Sequence, residues 1–151
     1  LVTIPCTIVA APSIIQRYGI PSRIQQFEEL PCITTVSALK GAPWQFVNKK
    51  GEFETIKVKG HYRVNSGEMA GRAAVSGVGF AILSKQACQP YLNDGRLIEI
   101  EFEQSVAPLQ LFALYSDRRY LPAKTRALID FMQQKLSNIS FATTKHVASG
   151  D

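Results

Sequence analysis

Nothing in these 151 residues approaches the roughly 18–20 consecutive apolar positions that a membrane-spanning helix needs. The nearest stretch, Thr7 to Ile15, is interrupted by Pro12 and has no basic leader, so neither a span nor a signal peptide is expected there. Cysteine is scarce and odd in number. Cys6, Cys32 and Cys88 are too widely spaced for a disulfide framework and read as reduced, buried, inert thiols of a cytoplasmic chain. Histidine is limited to His61 and His146, far apart in sequence, and each is most simply a solvated surface residue. There is no glycine-rich phosphate loop, no G-x-S-x-G elbow, no HExxH and no CxxC, so none of the chemistries those motifs carry is expected. Gly77-Val78-Gly79 lacks the third glycine of a dinucleotide fingerprint and precedes a strand rather than opening a helix. No catalytic residue, metal ligand or cofactor is assigned, and no membrane partner is expected.

What is present is an ordinary globular composition, 46% hydrophobic and 19% charged, with eight Pro and ten Gly spread as punctuation. The net charge of +5 tolerates an acidic partner without requiring one. An extended apolar run opens the chain to Ala11, with Pro5 barring a central ladder position there. A chain that starts inside such a strand is expected to be a piece of a longer protein. Pro12 begins a short helix ending at Gly19, and Ser22 is expected to cap a second with Ile24, Phe27 and Leu30 on one side. Cys32 to Val36 is β-prone. Trp44–Val47 and a run from Phe53 flank a hairpin-like connection. From Ile56 to Val64 apolar and basic residues alternate, which predicts an antiparallel strand with one wet face, interrupted by a bulge at Gly60.

Asn65-Ser66-Gly67 starts the next helix, with Asn65 and Glu68 at capping-box spacing and Ser66 an equal alternative as cap. Its narrow face is Met69, Ala70, Ala73 and Ala74. Phe80–Leu83 reads as a buried strand. Ser84 caps another helix, which Pro90 should shorten or kink. Leu97–Glu103 alternates, placing Glu99, Glu101 and Glu103 toward water. Leu109–Tyr115 is apolar enough to be covered on both sides, and a final helix carries Leu128, Ile129, Met132 and Leu136. Strands alternating with helices, plus one hairpin, predict an α/β fold with a mixed sheet.

Only one local feature has ligand chemistry. A helix start such as Asn65-Ser66-Gly67 presents unpaired N–H groups and the positive dipole end, which suits a carboxylate, and the hydroxyls of Ser66, Thr34 and Thr35 add donors. The plain alternative is a capped helix. The basic face of Lys57, Lys59, His61 and Arg63, like Arg118-Arg119 beside Tyr120, is most simply a charged solvent surface, since no aromatic residues interleave for nucleic-acid stacking.

Several segments together resemble one family. Ala10–Gly19 resembles the "ASPxYLxxxG" stretch of the effector-binding domain of LysR-type transcriptional regulators, and Trp44-Gln45-Phe46 its "WxF" strand. Val64–Gly67 with Ala73–Leu83 is similar to its "vNsg…aavaGlGia.lp" run, Gly95-Arg96-Leu97 to its "GrL", and Ala113–Phe131 to its closing segment. Ser84, where many members have proline, and Pro90 are departures that affect local geometry. The resemblance implies a periplasmic-binding-protein-like (type 2) fold: two α/β lobes joined by crossover strands, with an effector in the cleft. It implies a partial effector-binding domain over 1–151, with 12–105 as the second lobe and 1–11 and 106–117 as crossovers. Residues 118–137 would be a helix returning to the first lobe, and 138–151 a tail. Its effector contacts map to Thr34, Thr35, Asn65, Ser66 and Gly67. Implied partners are a small-molecule effector, a carboxylate being the favoured class, further copies of the chain, and DNA through an N-terminal domain absent here. A solute-binding protein or an enzyme on the same two-lobed fold is the alternative.

Overall fold

The computed structural model describes residues 2–35, 44–111 and 122–138. Val36, the loop through Lys40–Pro43, Arg118-Arg119-Tyr120, His146 and most of the tail lie outside the described residues. The chain divides into two compact units, Cys6–Ala107 and Leu1–Pro5 with Pro108–Asp151.

The larger unit is built on a five-stranded sheet. Its strands are β2 (Cys6–Ala10), β3 (Cys32–Thr35), β6 (Gly60–Val64), β7 (Phe80–Ser84) and β8 (Ile98–Ile100), in the order β6-β3-β7-β2-β8. β3 runs parallel to both β6 and β7, while β2 is antiparallel to β7 and β8, so the sheet is mixed as predicted. A second sheet of three strands comprises β4 (Trp44–Val47), β5 (Phe53–Ile56) and β9 (Ser105–Val106), all antiparallel. The β4–β5 pair is the expected hairpin. Asn48 closes its turn, with Oδ1 accepting from the N–H groups of Lys50 and Glu52.

Every residue of β2 is buried, because layers cover both faces of the sheet. On one face Ile8, Ala10, Cys32, Phe80 and Ile100 meet Trp44, Phe46 and Ile56 of the small sheet, Ile14 of helix α1 (Pro12–Tyr18), and Ile24 and Phe27 of a 3-10 turn (Ile24–Glu28). On the other, Val9, Ile33, Ala81 and Leu83 meet Ala70, Ala73 and Ala74 of α2 (Gly67–Val75) and Cys88 of α3 (Lys85–Asn93). Alternate residues along each strand therefore feed alternate cores. Phe27 is the hub of the first core: its ring stands edge-on to Trp44 at 5.1 Å, Phe80 at 5.3 Å and Phe102 at 5.5 Å.

The smaller unit holds β1 (Val2–Ile4), paired antiparallel with β10 (Leu109–Leu111), and α4 (Ala123–Asn138). Leu109 is exposed, contrary to a run covered on both sides.

Several expectations are corrected. The opening apolar run is two strands in different sheets, split where Pro5 withholds its N–H. Ser22 is no N-cap: the Gln26 carboxamide Oε1 accepts from the N–H groups of Ser22 and Arg23, and only a 3-10 turn forms. The alternation from Ile56 to Val64 spans two strands in separate sheets, and β6 is a parallel edge strand rather than an antiparallel one. A bulge does sit beside Gly60: Cys32 pairs with Gly60 and Ile33 with Tyr62, leaving His61 as the extra residue. The basic residues Lys57, Lys59, His61 and Arg63 are exposed, and Lys59 pairs with Glu29 at 2.8 Å. Met69 faces solvent. Helix α3 continues three residues past Pro90. Of the Leu97–Glu103 alternation only Ile98–Ile100 is strand.

Candidate functional site

Parallel pairing brings the carboxyl ends of β3, β6 and β7 to one edge of the main sheet, the side on which open α/β sheets bind ligands. Two of those strands run directly into helices. β6 passes through Asn65 into α2, where Ser66 is the cap: its Oγ accepts from the Met69 N–H at 3.2 Å. The alternative Asn65–Glu68 box does not form, and Glu68 instead pairs with Arg72 one turn on at 2.9 Å. β7 passes into α3, where the Ser84 Oγ accepts from the Ala87 N–H at 3.2 Å. Two helix starts, each nine residues long, thus share the edge with exposed Thr35.

The register Thr35↔Val64 sets Thr35 beside the residue that precedes Asn65, so Thr35, Asn65, Ser66 and Gly67 come together. Asn65 and Gly67 are exposed and Ser66 half-buried. Thr34 is different. It is half-buried, and its Oγ1 lies 2.8 Å from the point where a side chain on Gly60 would begin, so its hydroxyl leans over the start of β6.

At the other end of the same edge lies a feature that the sequence reading missed. Thr7, the one buried polar residue among those described, donates from Oγ1 to Glu99 Oε1 at 2.7 Å. Lys85 Nζ stands 3.8 Å from that same carboxylate oxygen. Glu99 is therefore half-buried and engaged, not turned to water as the alternation suggested. Its pairing β2–β8 places Glu99 opposite Val9, diagonal to Thr7 on one face; a cross-strand Thr–Glu diagonal was the available signal.

The three thiols are buried, as expected. Burial pushes the Cys32 thiol up to about 12, and burial followed by the nearby Glu99 carboxylate pushes Cys88 up to about 11. Relative to a thiol at 9.0, the reactive thiolate is scarcer by a factor of about 100 to 1,000 at pH 8. Folded chain treated with iodoacetamide at pH 8 should therefore spare both residues in mass spectra, while chain in urea reacts at both. Modification of Cys32 at the unfolded rate would contradict this burial. Because folding favours the neutral thiols, their contribution to stability is complete below pH 9 and is lost as pH rises toward 11–12.

A mixed sheet with α2 and α3 on one face, a small sheet with α1 on the other and capped helix starts along one edge is the architecture of a periplasmic-binding-protein-like (type 2) fold. The regulatory domain of the C227S variant of AphB from Vibrio vulnificus superposes with a TM-score of 0.69 at 22% identity, covering 87% of this chain and 67% of that one. Sequence narrows the class to a family. The profile of the LysR substrate binding domain matches residues 1–137, and the chain belongs to that family. It is 30% identical over 134 residues to the HTH-type transcriptional activator TtdR of Escherichia coli strain K12, covering 84% of this chain and 42% of TtdR. It is 29% identical over 128 residues to the HTH-type transcriptional regulator DmlR of the same strain, covering 83% and 40%. The chain thus spans less than half the length of these curated relatives, which are transcriptional regulators. Among the described residues no helix is long and apolar enough to cross a membrane, and no cluster of three or more metal-binding side chains occurs.

Proposed function

We propose that this chain is the effector-sensing part of a cytoplasmic LysR-type regulator, without catalysis, and that it holds a small-molecule effector, most suitably a carboxylate, at Thr34, Thr35, Asn65, Ser66 and Gly67. One observation carries the reading. Register sets exposed Thr35 beside the start of α2, where Ser66 satisfies only the Met69 N–H and the N–H groups of Gly67 and Glu68 have no acceptor within the helix. In the proposed arrangement residues 12–105 are the second lobe and 1–11 and 106–117 the crossovers. Residues 118–137 belong with a first lobe, which would cover the Leu128, Phe131 and Met132 side chains that α4 leaves exposed. An effector that prefers the closed arrangement of two lobes shifts the population toward it, and in a homo-oligomer that shift reorients DNA-binding domains carried N-terminal to this chain.

The test uses the full-length regulator, small carboxylates and other metabolites, with operator binding and heat as readouts. Asn65→Ala is the informative variant, because the Asn65 side chain caps nothing. It should leave stability within about 0.5 kcal/mol and weaken the effector response at least tenfold. Ser66→Ala should weaken the response too, while costing about 1 kcal/mol through the lost cap. Unchanged operator binding and no heat across the panel would overturn the reading.

A further inference from the structure

A cavity of about 170 Å³ lies within the larger unit, lined by both polar and apolar side chains, among them Thr7, Lys85, Glu99, Glu101, Phe102 and Ser105. An enclosed apolar cavity of about 150 Å³ accommodates benzene, so this pocket, which is open to solvent on one side, has room for a ligand of roughly six heavy atoms. Its charges are unusual in their geometry. The other ion pairs among the described residues (Lys49–Glu103, Lys59–Glu29, Arg72–Glu68 and Arg96–Asp94) close at 2.8–2.9 Å on exposed surface. Lys85 and Glu99 stand at 3.8 Å, beyond hydrogen-bonding distance, and Glu99 is the least exposed charged group of any pair at 30%. Among the described residues the Lys85 ammonium donates no hydrogen bond, and the second oxygen of Glu99 accepts none. The first oxygen is fixed by Thr7 at 2.7 Å, so the carboxylate is oriented before anything binds.

We propose that this cavity is a binding site for a small zwitterionic amino acid, of the size of glycine or alanine. Lys85 meets the ligand carboxylate. Glu99, supported by Glu101, meets the ammonium. The half-buried Phe102 and Val106 form the wall for a short aliphatic side chain. A lone anion would face two carboxylates and a lone cation would face Lys85, whereas a ligand carrying both charges offers a partner to the ammonium and to the carboxylates. The site stands at the β7–β2–β8 end of the sheet edge, roughly 10 Å along it from Thr35 at about 4.8 Å per strand, and does not rest on the effector reading.

The experiment is an amide-shift NMR titration of the chain with glycine and alanine, with acetate and methylammonium as half-ligands. Saturable shifts at Thr7, Lys85, Glu99 and Ser105, with at least tenfold weaker response to either half-ligand, are expected. Lys85→Met should weaken alanine and acetate together, and Glu99→Gln should weaken alanine and methylammonium while keeping an acceptor for Thr7. If Glu99→Gln does not fold, Lys85→Met decides, since its side chain is 45% exposed. Linear, unsaturated shifts with alanine, or acetate binding as tightly as alanine, would overturn the proposal. Loss of effector response in Asn65→Ala bears on the other site only.

Discussion

Phe27→Ala is expected to destabilise the larger unit by about 3–5 kcal/mol, the range for deleting a fully buried phenyl ring from a core that relaxes only in part. At about 4–8 °C per kcal/mol for a unit of this size, the thermal midpoint falls by roughly 12 °C or more. The reason is position. Phe27 and Ile24 are the buried residues of the 3-10 turn, and the ring contacts Trp44 of β4, Phe80 of β7 and Phe102 beyond β8. Each edge-to-face contact contributes about 0.5–1.5 kcal/mol beyond simple burial, and removing the shared ring removes all three together. Phe27→Leu, which keeps most of the volume, should cost less than half as much. Urea unfolding followed by circular dichroism separates the two; a loss below about 1 kcal/mol for Phe27→Ala would mean that the small sheet and the main sheet do not depend on this ring.

The residues that made the fold legible are those whose local chemistry has one outcome. Ser84 caps a helix and does so in the structure; Phe80–Leu83 has no polar face and lies at the centre of the sheet. Periodicity failed where two short elements share one phase. Ile56 to Val64 keeps period two across a change of sheet, because a strand leaving one sheet and entering another need not change its alternation. Nor does alternation carry strand direction, so the parallel pairing of β6 with β3 was invisible until β3 was placed. The expected helix at Ser22 was lost to a side chain: Gln26 captures the N–H groups that would start it. At the candidate site, Ser66 and Thr35 could be read from helix-start chemistry and family resemblance, and their adjacency follows from one register. Thr34 leans toward Gly60, the register partner of Cys32 two residues back, where the missing side chain leaves room, and the Thr7–Glu99–Lys85 cluster joins residues 92 positions apart in its hydrogen bond, a separation that no local pattern spans.

Gly79→Ala should be comparably damaging, for a different reason. A Cβ there would lie 2.5 Å from the Pro31 carbonyl oxygen and 2.9 Å from its carbon, far inside contact distance. That carbonyl is no bystander: it accepts from the Phe80 N–H at 2.9 Å, the bond that opens the β3–β7 pairing with Cys32↔Phe80 as its first register partners. Relieving the clash must move backbone at the start of β3 or β7. Both strands feed the two cores, so the shift propagates into Phe80 on one side and Ala81 and Ile33 on the other. Overpacking typically costs about 1–3 kcal/mol and an orphaned buried N–H about 1–3 more, which together give about 2–6 kcal/mol. Gly60→Ala is the matched comparison. Its Cβ would also meet a neighbour at 2.8 Å, but that neighbour is the Thr34 side chain rather than backbone, and a small displacement of the edge strand β6 relieves the contact. Gly60→Ala should therefore cost less than Gly79→Ala and show its effect at Thr34, at the edge where the effector is proposed to bind, whereas Gly79→Ala should speed amide exchange across β3 and β7 together. Equal costs for the two variants would mean that crowding alone, rather than an immovable backbone carbonyl, sets the requirement for glycine at position 79.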